Sequence, residues 1–513
     1  MLPVGASVRG VTATTPTVQT SGGAVRGTTR DGVHAFLGIP YAAPPFGPLR
    51  FAAPQPPERW DGVRPATEYG PTVPKPPYAP PYDVLLPEPQ IPGEDCLNLN
   101  VWTPDPGASG LPVFVWIHGG AFVNGSGAVP VYDGTAFARD GVVCVTINYR
   151  LGVDGFLHFA DDGSANRGLL DQVAALRWVR ENIAAFGGDP TRVTIGGESA
   201  GAMSVACLLA MPSARGLFSQ AVAQSGAGHH ALTAATATRI GGYLAERLDV
   251  PATREGLAAV PVAELIAAQQ GLAREVAAVP DPGRFGEVAV NLMAFEPVVD
   301  GDVLPDLPIR AIAGGSARDV AVLVGANRDE QRLFLVPNGI ADVVTDQLLQ
   351  LAVAGYGLPA DRALEVYRAA RPGGTPGDLL ADVATDWYFR LPAIRLAEAV
   401  TQQGGAAGGR AWVYEFSWPS PQFDGRLGAC HALELGFTFD TLEHEAHGAL
   451  MGTAAPQDLA DAMHGAWVRF LTDGDPGWAP YETRRRPVQD FGVQVRVVDD
   501  PRGAERALWD GIR

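Results

Sequence analysis

The sequence has 513 residues, 46% of them hydrophobic and 18% charged, which is enough apolar material for a large buried core. A formal net charge of −18 argues against nucleic-acid binding, because proteins that follow a phosphate backbone carry a basic stripe that is missing here. The sequence holds no run of 18 consecutive apolar residues, so no membrane span is predicted.

The N-terminal part predicts an extension, a sheet edge and a long loop. Residues 1–17 are expected to be a poorly ordered extension, and residues 1–23 lack the pattern of a secretory signal. A cytoplasmic location follows, with secretion left open because a leader can be removed. Residues 18–41 read as short antiparallel strands joined by glycine turns. Residues 44–92 are dense in proline and predict an extended surface loop that is either disordered or shapes the rim of a site.

Further along the chain, strand patterns alternate with helical patterns. The predicted strands are 97–102, 112–117, 142–148, 192–195, 218–225, 320–325 and 410–416, and the predicted helices include 168–183 and 458–472. Residues 231–295 and 341–405 have helical spacing and are interpreted as insertions that cover the sheet. The alternation predicts one α/β domain over residues 18–513, with a mostly parallel sheet that binds ligands at the carboxyl ends of its strands.

The four cysteines are scattered along the sequence without Cys-x-x-Cys spacing. Most lie in apolar settings, so we expect buried thiols rather than a disulfide framework or a zinc site. A reducing compartment is compatible with this pattern. The four residues are Cys96, Cys144, Cys207 and Cys430.

The most informative stretch is Gly197-Glu198-Ser199-Ala200-Gly201, which follows a strand-like segment and precedes an apolar helical one. A serine on a tight turn between strand and helix has its hydroxyl exposed above the sheet edge and needs small neighbours. The following helix directs its positive end at any negative charge that develops there. Alone the pentapeptide is weak evidence for a nucleophile, since a sequence with 62 glycines can contain it by chance. Its position between a strand and a helix favours a nucleophile at Ser199.

A serine nucleophile needs a histidine base and an acidic residue that orients the histidine. In this strand–turn–helix setting, the chain order is serine, then the acid, then the histidine. The candidate bases are His431, His444, His447 and His464. His431 is favoured because it lies on a loop after a strand, whereas His464 falls within a helix and the other two suit a solvated helix face.

The acid and the oxyanion donors are less sharply defined. Asp329 and Glu330 directly follow a buried strand, spacing does not choose between them, and Asp300 is a weaker candidate because Asp-Gly favours a turn. Backbone N–H groups for an oxyanion are expected at Ala200 and in His118-Gly-Gly-Ala after the 112–117 strand. His118 itself precedes the serine and is expected to shape that loop.

Several motifs together resemble the type-B carboxylesterases, the family of bacterial p-nitrobenzyl esterases and cholinesterases. They run in order from about Val18 to Gly492, and they are Glu94-Asp-Cys-Leu-Asn-Leu-Asn100, His118-Gly-Gly-Ala-Phe122, Asn148-Tyr-Arg-Leu-Gly152, Gly168-Leu-Leu-Asp-Gln172, Phe186-Gly-Gly-Asp-Pro190 and Gly197-Glu-Ser-Ala-Gly-Ala202. The resemblance implies an α/β-hydrolase fold and a triad of Ser199, Glu330 and His431. It also implies oxyanion donors at Gly120, Ala121 and Ala200.

The same resemblance implies secondary roles. Glu198 and Ser225 match positions that hydrogen-bond near the histidine, although Ser225 fits a strand-end cap equally well. Phe122, Leu333 and Phe334 are expected to line the substrate pocket, with ordinary core packing as the alternative. Cys96 is expected to be free, because no cysteine precedes it.

These residues predict a serine carboxylesterase that acts on a small-molecule ester as a monomer or homodimer. No metal or organic cofactor is expected, because the serine supplies the covalent chemistry. Two alternatives stay open: the same machinery acting on amides, carbamates, lactones or polyester oligomers, and a non-catalytic binding protein of the same family. The second is disfavoured because all three triad residues are present.

Overall fold

The computed structural model of the protein describes residues 15–160, 164–402 and 409–513. The expected N-terminal extension, residues 1–17, lies almost wholly outside these ranges, and Thr17 already begins the first strand. No helix in the described ranges is long and apolar enough to cross a membrane.

Most strands belong to one large sheet, and the remainder form two small ones. In chain order the strands are β1 Thr17–Gln19, β2 Ala24–Arg26, β3 Thr28–Arg30, β4 Val33–Pro40, β5 Val63–Pro65, β6 Asn98–Thr103, β7 Leu111–Ile117, β8 Val143–Ile147, β9 Gly188–Glu198, β10 Gln220–Gln224, β11 Leu232–Thr233, β12 Val298–Val299, β13 Ala321–Asn327, β14 Ala411–Phe416, β15 Pro487–Phe491 and β16 Arg496–Asp499.

The large sheet has the strand order β16-β15-β14-β13-β10-β9-β7-β8-β6-β4-β3. The strands from β15 to β8 in this order are parallel to their neighbours. β6, β4 and β3 add an antiparallel edge, and β16 is antiparallel at the opposite edge. The predicted mostly parallel sheet with an N-terminal antiparallel edge is therefore confirmed.

Helices cover both faces of the sheet and the ends of its strands. They are α1 Tyr82–Leu85, α2 Thr135–Arg139, α3 Gly152–Phe156, α4 Arg167–Asn182, α5 Ala200–Ala210, α6 Ala234–Leu248, α7 Arg254–Ala258, α8 Val262–Ala278, α9 Pro282–Phe285, α10 Val288–Asn291, α11 Pro308–Ala313, α12 Arg332–Leu335, α13 Ile340–Val343, α14 Asp346–Gly355, α15 Ala360–Ala370, α16 Pro376–Thr385, α17 Leu391–Thr401, α18 Leu435–Thr438, α19 Gly448–Met451, α20 Gln457–Asp473 and α21 Gly503–Leu508. A π-helix, Asp386–Arg390, joins α16 to α17, and short 3₁₀ helices lie at Gly47–Leu49, Pro130–Tyr132, Ile183–Phe186, Pro212–Ala214 and Glu445–His447.

The regions interpreted as insertions are mainly helical. Helices α6 to α10 lie in residues 231–295, and α14 to α17 occupy most of 341–405. Whether these regions form a cap on a single domain stays a prediction. The prediction missed β15 and β16, because Pro487 begins one strand and the other is a largely exposed edge strand without an apolar alternation.

Strand register brings the chemistry-bearing residues to one edge of the sheet. Ile117 of β7 pairs with Gly197 of β9, while Glu198 pairs with Gln224 of β10. Gln224 in turn pairs with Gly325 of β13, two residues before that strand ends. The segments that follow β7, β9, β10 and β13 therefore emerge side by side, because carboxyl ends of parallel strands meet at one edge.

Candidate active site

Ser199 occupies the turn between β9 and α5 in a strained backbone conformation. Its φ of 55° and ψ of −123° lie in a region that residues other than glycine rarely adopt. The flanking glycines are required sterically: a Cβ on Gly201 would lie 2.0 Å from the carbonyl oxygen of Ile117, and one on Gly197 would lie 2.5 Å from the carbonyl carbon of Gly201. Ser199 therefore lies on the tight strand–helix turn that the sequence predicts.

His431 and Glu330 meet at the same edge of the sheet. Nδ1 of His431 lies 2.6 Å from Oε2 of Glu330, and Oε1 of Glu330 accepts a 2.7 Å hydrogen bond from the backbone N–H of Asn327. Both side chains are buried. The backbone N–H of His431 also donates to the carbonyl oxygen of Glu330, so the two loops are joined at two points.

Asp329 also fastens these two loops together. Its Oδ2 accepts a 3.0 Å hydrogen bond from the N–H of Ala429, and its N–H donates to the carbonyl oxygen of Ala429. Arg332 and Arg371 lie 3.4 and 3.3 Å from its Oδ1. The structure thus pairs Glu330, rather than Asp329, with the histidine.

The other ring nitrogen of His431 faces Glu198, the residue before the candidate nucleophile. Nε2 of His431 lies 3.0 Å from Oε1 of Glu198. The hydroxyl of Ser199 makes no hydrogen bond to any described residue. Ser199 and His431 nevertheless line one cavity, and catalytic hydrogen bonds are often long or misaligned before substrate binds.

Burial and neighbouring charges act in opposite directions on His431. Burial lowers the pKa of the imidazole, but the Glu198 and Glu330 carboxylates outweigh it and raise the pKa to about 9. Burial raises the pKa of Glu198 to about 8, with His431 opposing that shift. The imidazole and Glu198 together therefore retain a proton near neutral pH.

Residues 119–125, which we call the glycine loop, follow β7 and run beside Ser199. A Cβ on Gly119 would lie 3.1 Å from Cβ of Ser199. Three successive residues have positive φ, at 112° for Gly120, 52° for Ala121 and 62° for Phe122. The N–H groups of Gly120, Ala121 and Ala200 donate no hydrogen bond to a described residue, so they are free to receive an oxyanion.

A cavity of about 280 Å³ opens above Ser199. The proline-rich segment supplies one wall, including the helix α1, so the predicted loop forms part of a site. Residues after His431 supply another part of the wall. Most lining side chains are apolar: Tyr78, Tyr82, Leu85, Leu86, Pro87, Val129, Pro130, Val131, Tyr132, Phe334, Leu435, Leu450 and Met451.

Of the three side chains predicted to line the pocket, only Phe334 does so. Its ring centroid lies 5.3 Å from that of His431. Phe122 is fully buried and packs edge-on against Phe156 at 4.9 Å, and Leu333 is buried in the core. Neither belongs to the described cavity lining, because adjacent residues on these turns point in different directions.

The remaining histidines and Asp300 have separate positions. His118 is buried and stacks on Tyr149, with Nδ1 2.8 Å from the carbonyl oxygen of Gly119, as expected for a residue that shapes the loop. His464 is buried in α20 near Thr438. Asp300 caps a turn by accepting from the N–H groups of Asp302 and Leu304.

His447 differs from the solvated helix face that its spacing from His444 suggested. It lines the cavity, and burial lowers its pKa to about 4. Among the described residues, no group of three or more His, Cys, Asp or Glu side chains could hold a metal ion.

Ser225 lies close to the site but does not make the predicted hydrogen bond. Its φ is 52°, and its N–H donates to the carbonyl oxygen of Gly325. Its buried Oγ has no hydrogen-bond partner among the described residues.

A third buried acidic side chain, Glu434, lies near the histidine and was missed by sequence reasoning. Oε1 of Glu434 accepts from Nε2 of Gln224 at 3.1 Å, and Oε2 accepts from Nδ2 of Asn327 at 2.6 Å. Burial raises the pKa of Glu434 to about 7. Its position three residues after His431 was the available signal, but periodicity does not reveal which way a loop side chain points.

The strained serine, the imidazole, its carboxylate partner and the free N–H groups define a serine hydrolase site at the carboxyl edge of an α/β sheet. The model of the carboxylesterase family matches residues 14–509. The chain therefore belongs to the carboxylesterase family, has the α/β-hydrolase fold, and is a carboxylic ester hydrolase.

Individual proteins that are similar to this chain support its membership of this family. The chain is 39% identical to the para-nitrobenzyl esterase of Bacillus subtilis over 95% of its own length and 97% of that protein. It is 38% identical to the phenmedipham hydrolase of Pseudarthrobacter oxydans over 90% and 91% of the two chains. The crystal structure of Geobacillus stearothermophilus carboxylesterase EST55 matches with a TM-score of 0.83 and 38% identity, covering 96% of this chain and 99% of that one.

Proposed function

We propose that Ser199, His431 and Glu330 are the catalytic triad of this esterase. The observation that carries the proposal is the 2.6 Å contact between Nδ1 of His431 and Oε2 of Glu330, made beside a serine in strained geometry. A carboxylate at Nδ1 fixes the tautomer that leaves Nε2 as the base, and it stabilises the imidazolium that forms during reaction.

The reaction proceeds in two halves. Oγ of Ser199 attacks the ester carbonyl carbon while Nε2 of His431 takes the hydroxyl proton, and the carbonyl oxygen becomes an oxyanion. The N–H groups of Gly120, Ala121 and Ala200 stabilise that charge. Collapse expels the alcohol, which receives the proton from His431, and water then attacks the acyl-enzyme by the same route to release the acid.

Before attack, Nε2 of His431 must exchange the carboxylate of Glu198 for the hydroxyl of Ser199. The two acceptors belong to adjacent residues, and Ser199, Glu198 and His431 all line the same cavity. Glu198 is thus a supporting residue that holds the imidazole near the nucleophile between turnovers.

The cavity supports uncharged, apolar esters of modest size as substrates. Its volume of about 280 Å³ lies near the lower limit of drug-sized ligand pockets, which begin at about 300 Å³. Aromatic and aliphatic side chains form most of the wall, and the glycine loop forms the floor beside Ser199.

Amides, carbamates and polyester oligomers form a second substrate class for the same machinery. The similarity to a protein named phenmedipham hydrolase makes phenmedipham itself a compound to test. A non-catalytic binding role is not proposed, because the chain is a carboxylic ester hydrolase.

The test is a panel of p-nitrophenyl esters from acetate to palmitate, together with phenmedipham, assayed with the wild type and Ser199→Ala. We expect hydrolysis of short and medium acyl esters, lower rates on palmitate, and loss of at least about 10³-fold in kcat for Ser199→Ala. Activity that survives the Ser199→Ala substitution would reject the mechanism.

The proposal also covers the oligomeric state, the partners and the location of the protein. We propose a monomer or homodimer, and the net charge of −18, which opposes phosphate binding, supports action without nucleic acid. The four cysteines are free and buried, which supports a cytoplasmic location. Analytical ultracentrifugation tests the oligomeric state directly.

A further inference from the structure

Lys75 is the only lysine in the sequence, and it is buried beside Glu88, which lines the active-site cavity. Its side chain is 1% exposed and that of Glu88 is 6% exposed, with Nζ of Lys75 3.7 Å from Oε2 of Glu88. Nζ also donates a 3.1 Å hydrogen bond to the carbonyl oxygen of Pro89. Removing two charges from water is costly, so such a pair is weak evidence for a stabilising role and requires another explanation.

Both oxygens of Glu88 are used by the far end of the glycine loop. Oε1 accepts a 2.9 Å hydrogen bond from Nδ2 of Asn124, and Oε2 accepts a 2.7 Å hydrogen bond from the N–H of Gly125. Nδ2 of Asn124 also donates to the carbonyl oxygen of Pro76 at 2.7 Å. Three hydrogen bonds therefore fasten the end of the loop to the proline-rich segment.

The near end of the loop is held by β7, and its middle is a tight turn. The N–H groups of Val123 and Asn124 both donate to the carbonyl oxygen of Gly120. Ala121 and Phe122 adopt positive φ, which is unfavourable for residues with a Cβ and persists only where the surroundings enforce it. The placement of Asn124 and Gly125 therefore affects the direction of the preceding N–H groups.

We propose that Glu88 is a positioning residue for the oxyanion donors of the glycine loop, and that Lys75 keeps Glu88 in the acceptor form this role requires. An ionised carboxylate only accepts hydrogen bonds, whereas a protonated carboxyl group or an amide presents a donor on one side. The N–H of Gly125 would then face a group that no longer accepts. This inference rests on the proposed function, since it gives the glycine loop an oxyanion to bind.

The kinetic test compares Glu88→Gln, Lys75→Met and Lys75→Arg with the wild type on p-nitrophenyl butyrate. We expect Glu88→Gln and Lys75→Met to lower kcat by about 10- to 100-fold with KM within twofold, because oxyanion contacts strengthen in the transition state. Affinity for an alkyl trifluoromethyl ketone, which forms a tetrahedral adduct with a serine, should fall by the same factor as kcat/KM. Lys75→Arg should restore most of the activity by restoring the charge.

Arg64→Met is the matched control. Arg64 forms a 2.8 Å ion pair with Asp95 in the same region of the chain, but the two side chains are 34% and 39% exposed and lie outside the cavity lining. This variant should keep kcat and ketone affinity within twofold of the wild type. Wild-type kcat in folded Glu88→Gln and Lys75→Met would overturn the proposal, as would a rise in KM alone.

A second measurement does not require turnover. Protein labelled with ¹³C at lysine Cε has one such signal, and its pH titration reports the charge of Lys75. Burial lowers the pKa of Lys75 and Glu88 opposes that shift, so Glu88→Gln should lower the midpoint further. An unchanged titration midpoint of Lys75 in Glu88→Gln would overturn the ion pair itself. Activity that survives in Ser199→Ala would instead show that the proposed catalytic mechanism is wrong.

Discussion

Nε2 of His431 and Oε1 of Glu198 lie 3.0 Å apart, so the imidazole has a carboxylate at each of its ring nitrogens. Both negative charges favour the imidazolium, and together they outweigh the opposing effect of burial on the pKa. The pair formed by His431 and Glu198 thus retains a proton near neutral pH, and activity should rise as the solution becomes alkaline and that proton is lost.

Replacing Glu198 by Gln should shift the acidic limb of the pH profile downward. Loss of one negative neighbour lowers the pKa of His431, so the neutral base is present at lower pH, and the limb of kcat/KM should move by about one pH unit or more. The measurement is kcat/KM for p-nitrophenyl butyrate between pH 5 and 10.

Glu296→Gln is the matched control for that shift. Glu296 is another buried carboxyl group whose pKa burial raises to about 8, and it does not line the cavity. Its profile should coincide with that of the wild type. An unmoved limb in Glu198→Gln would show that the neighbouring carboxylate does not control the base.

The two adjacent acids after β13 should differ strongly in their effect on turnover. Glu330→Gln removes the carboxylate at Nδ1, and we expect kcat to fall by about 10⁴-fold, as for triad acids generally. Asp329→Asn leaves that contact intact and weakens only the links to Ala429 and the arginines, so a fall of less than about tenfold is expected. The measurement is kcat of the two variants by steady-state kinetics. A larger loss of kcat in Asp329→Asn than in Glu330→Gln would make Asp329 the acid.

Leu86 offers a way to narrow the cavity without repacking the core. It is partly exposed and lines the cavity, so Leu86→Trp should lower kcat/KM for p-nitrophenyl octanoate by about tenfold while leaving the acetate within about twofold. Val84→Trp is the control, because Val84 is 63% exposed on α1 and outside the cavity lining. Equal losses on both esters in Leu86→Trp would contradict a steric boundary at this residue.

The four cysteines should be unreactive in the native protein. All are free and buried, and burial raises the pKa of each thiol, so little nucleophilic thiolate is present. Iodoacetamide at pH 8 should leave activity unchanged, and mass spectrometry should find four additions only after unfolding in guanidinium chloride. Rapid inactivation of the native enzyme would show an accessible thiol near the site.

The sequence predicted the parts of the site that depend on backbone geometry. Gly197 and Gly201 identify the tight turn because a Cβ cannot fit there, and strand patterns place that turn beside the carboxyl ends of β7 and β13. The choice of Glu330 over Asp329 came from family resemblance, and the structure gives its physical basis in the contact with His431.

Side-chain directions in loops were not predictable in the same way. Leu333 and Phe334 are neighbours, yet one is buried in the core and the other lines the cavity. The role of His447 and the pairing of Lys75 with Glu88 depend on how irregular segments fold against the sheet. Neither hydrophobic periodicity nor motif spacing carries that information.

The single buried lysine has a consequence for how the protein withstands alkali. Every exposed cationic side chain of the described surface that is not histidine is a guanidinium group, which stays protonated above pH 12. Ordinary proteins begin to lose ammonium charges near pH 10, whereas the surface ion pairs of this one persist there. The alkaline pH at which His431 loses its proton therefore leaves the arginine ion pairs of the surface charged.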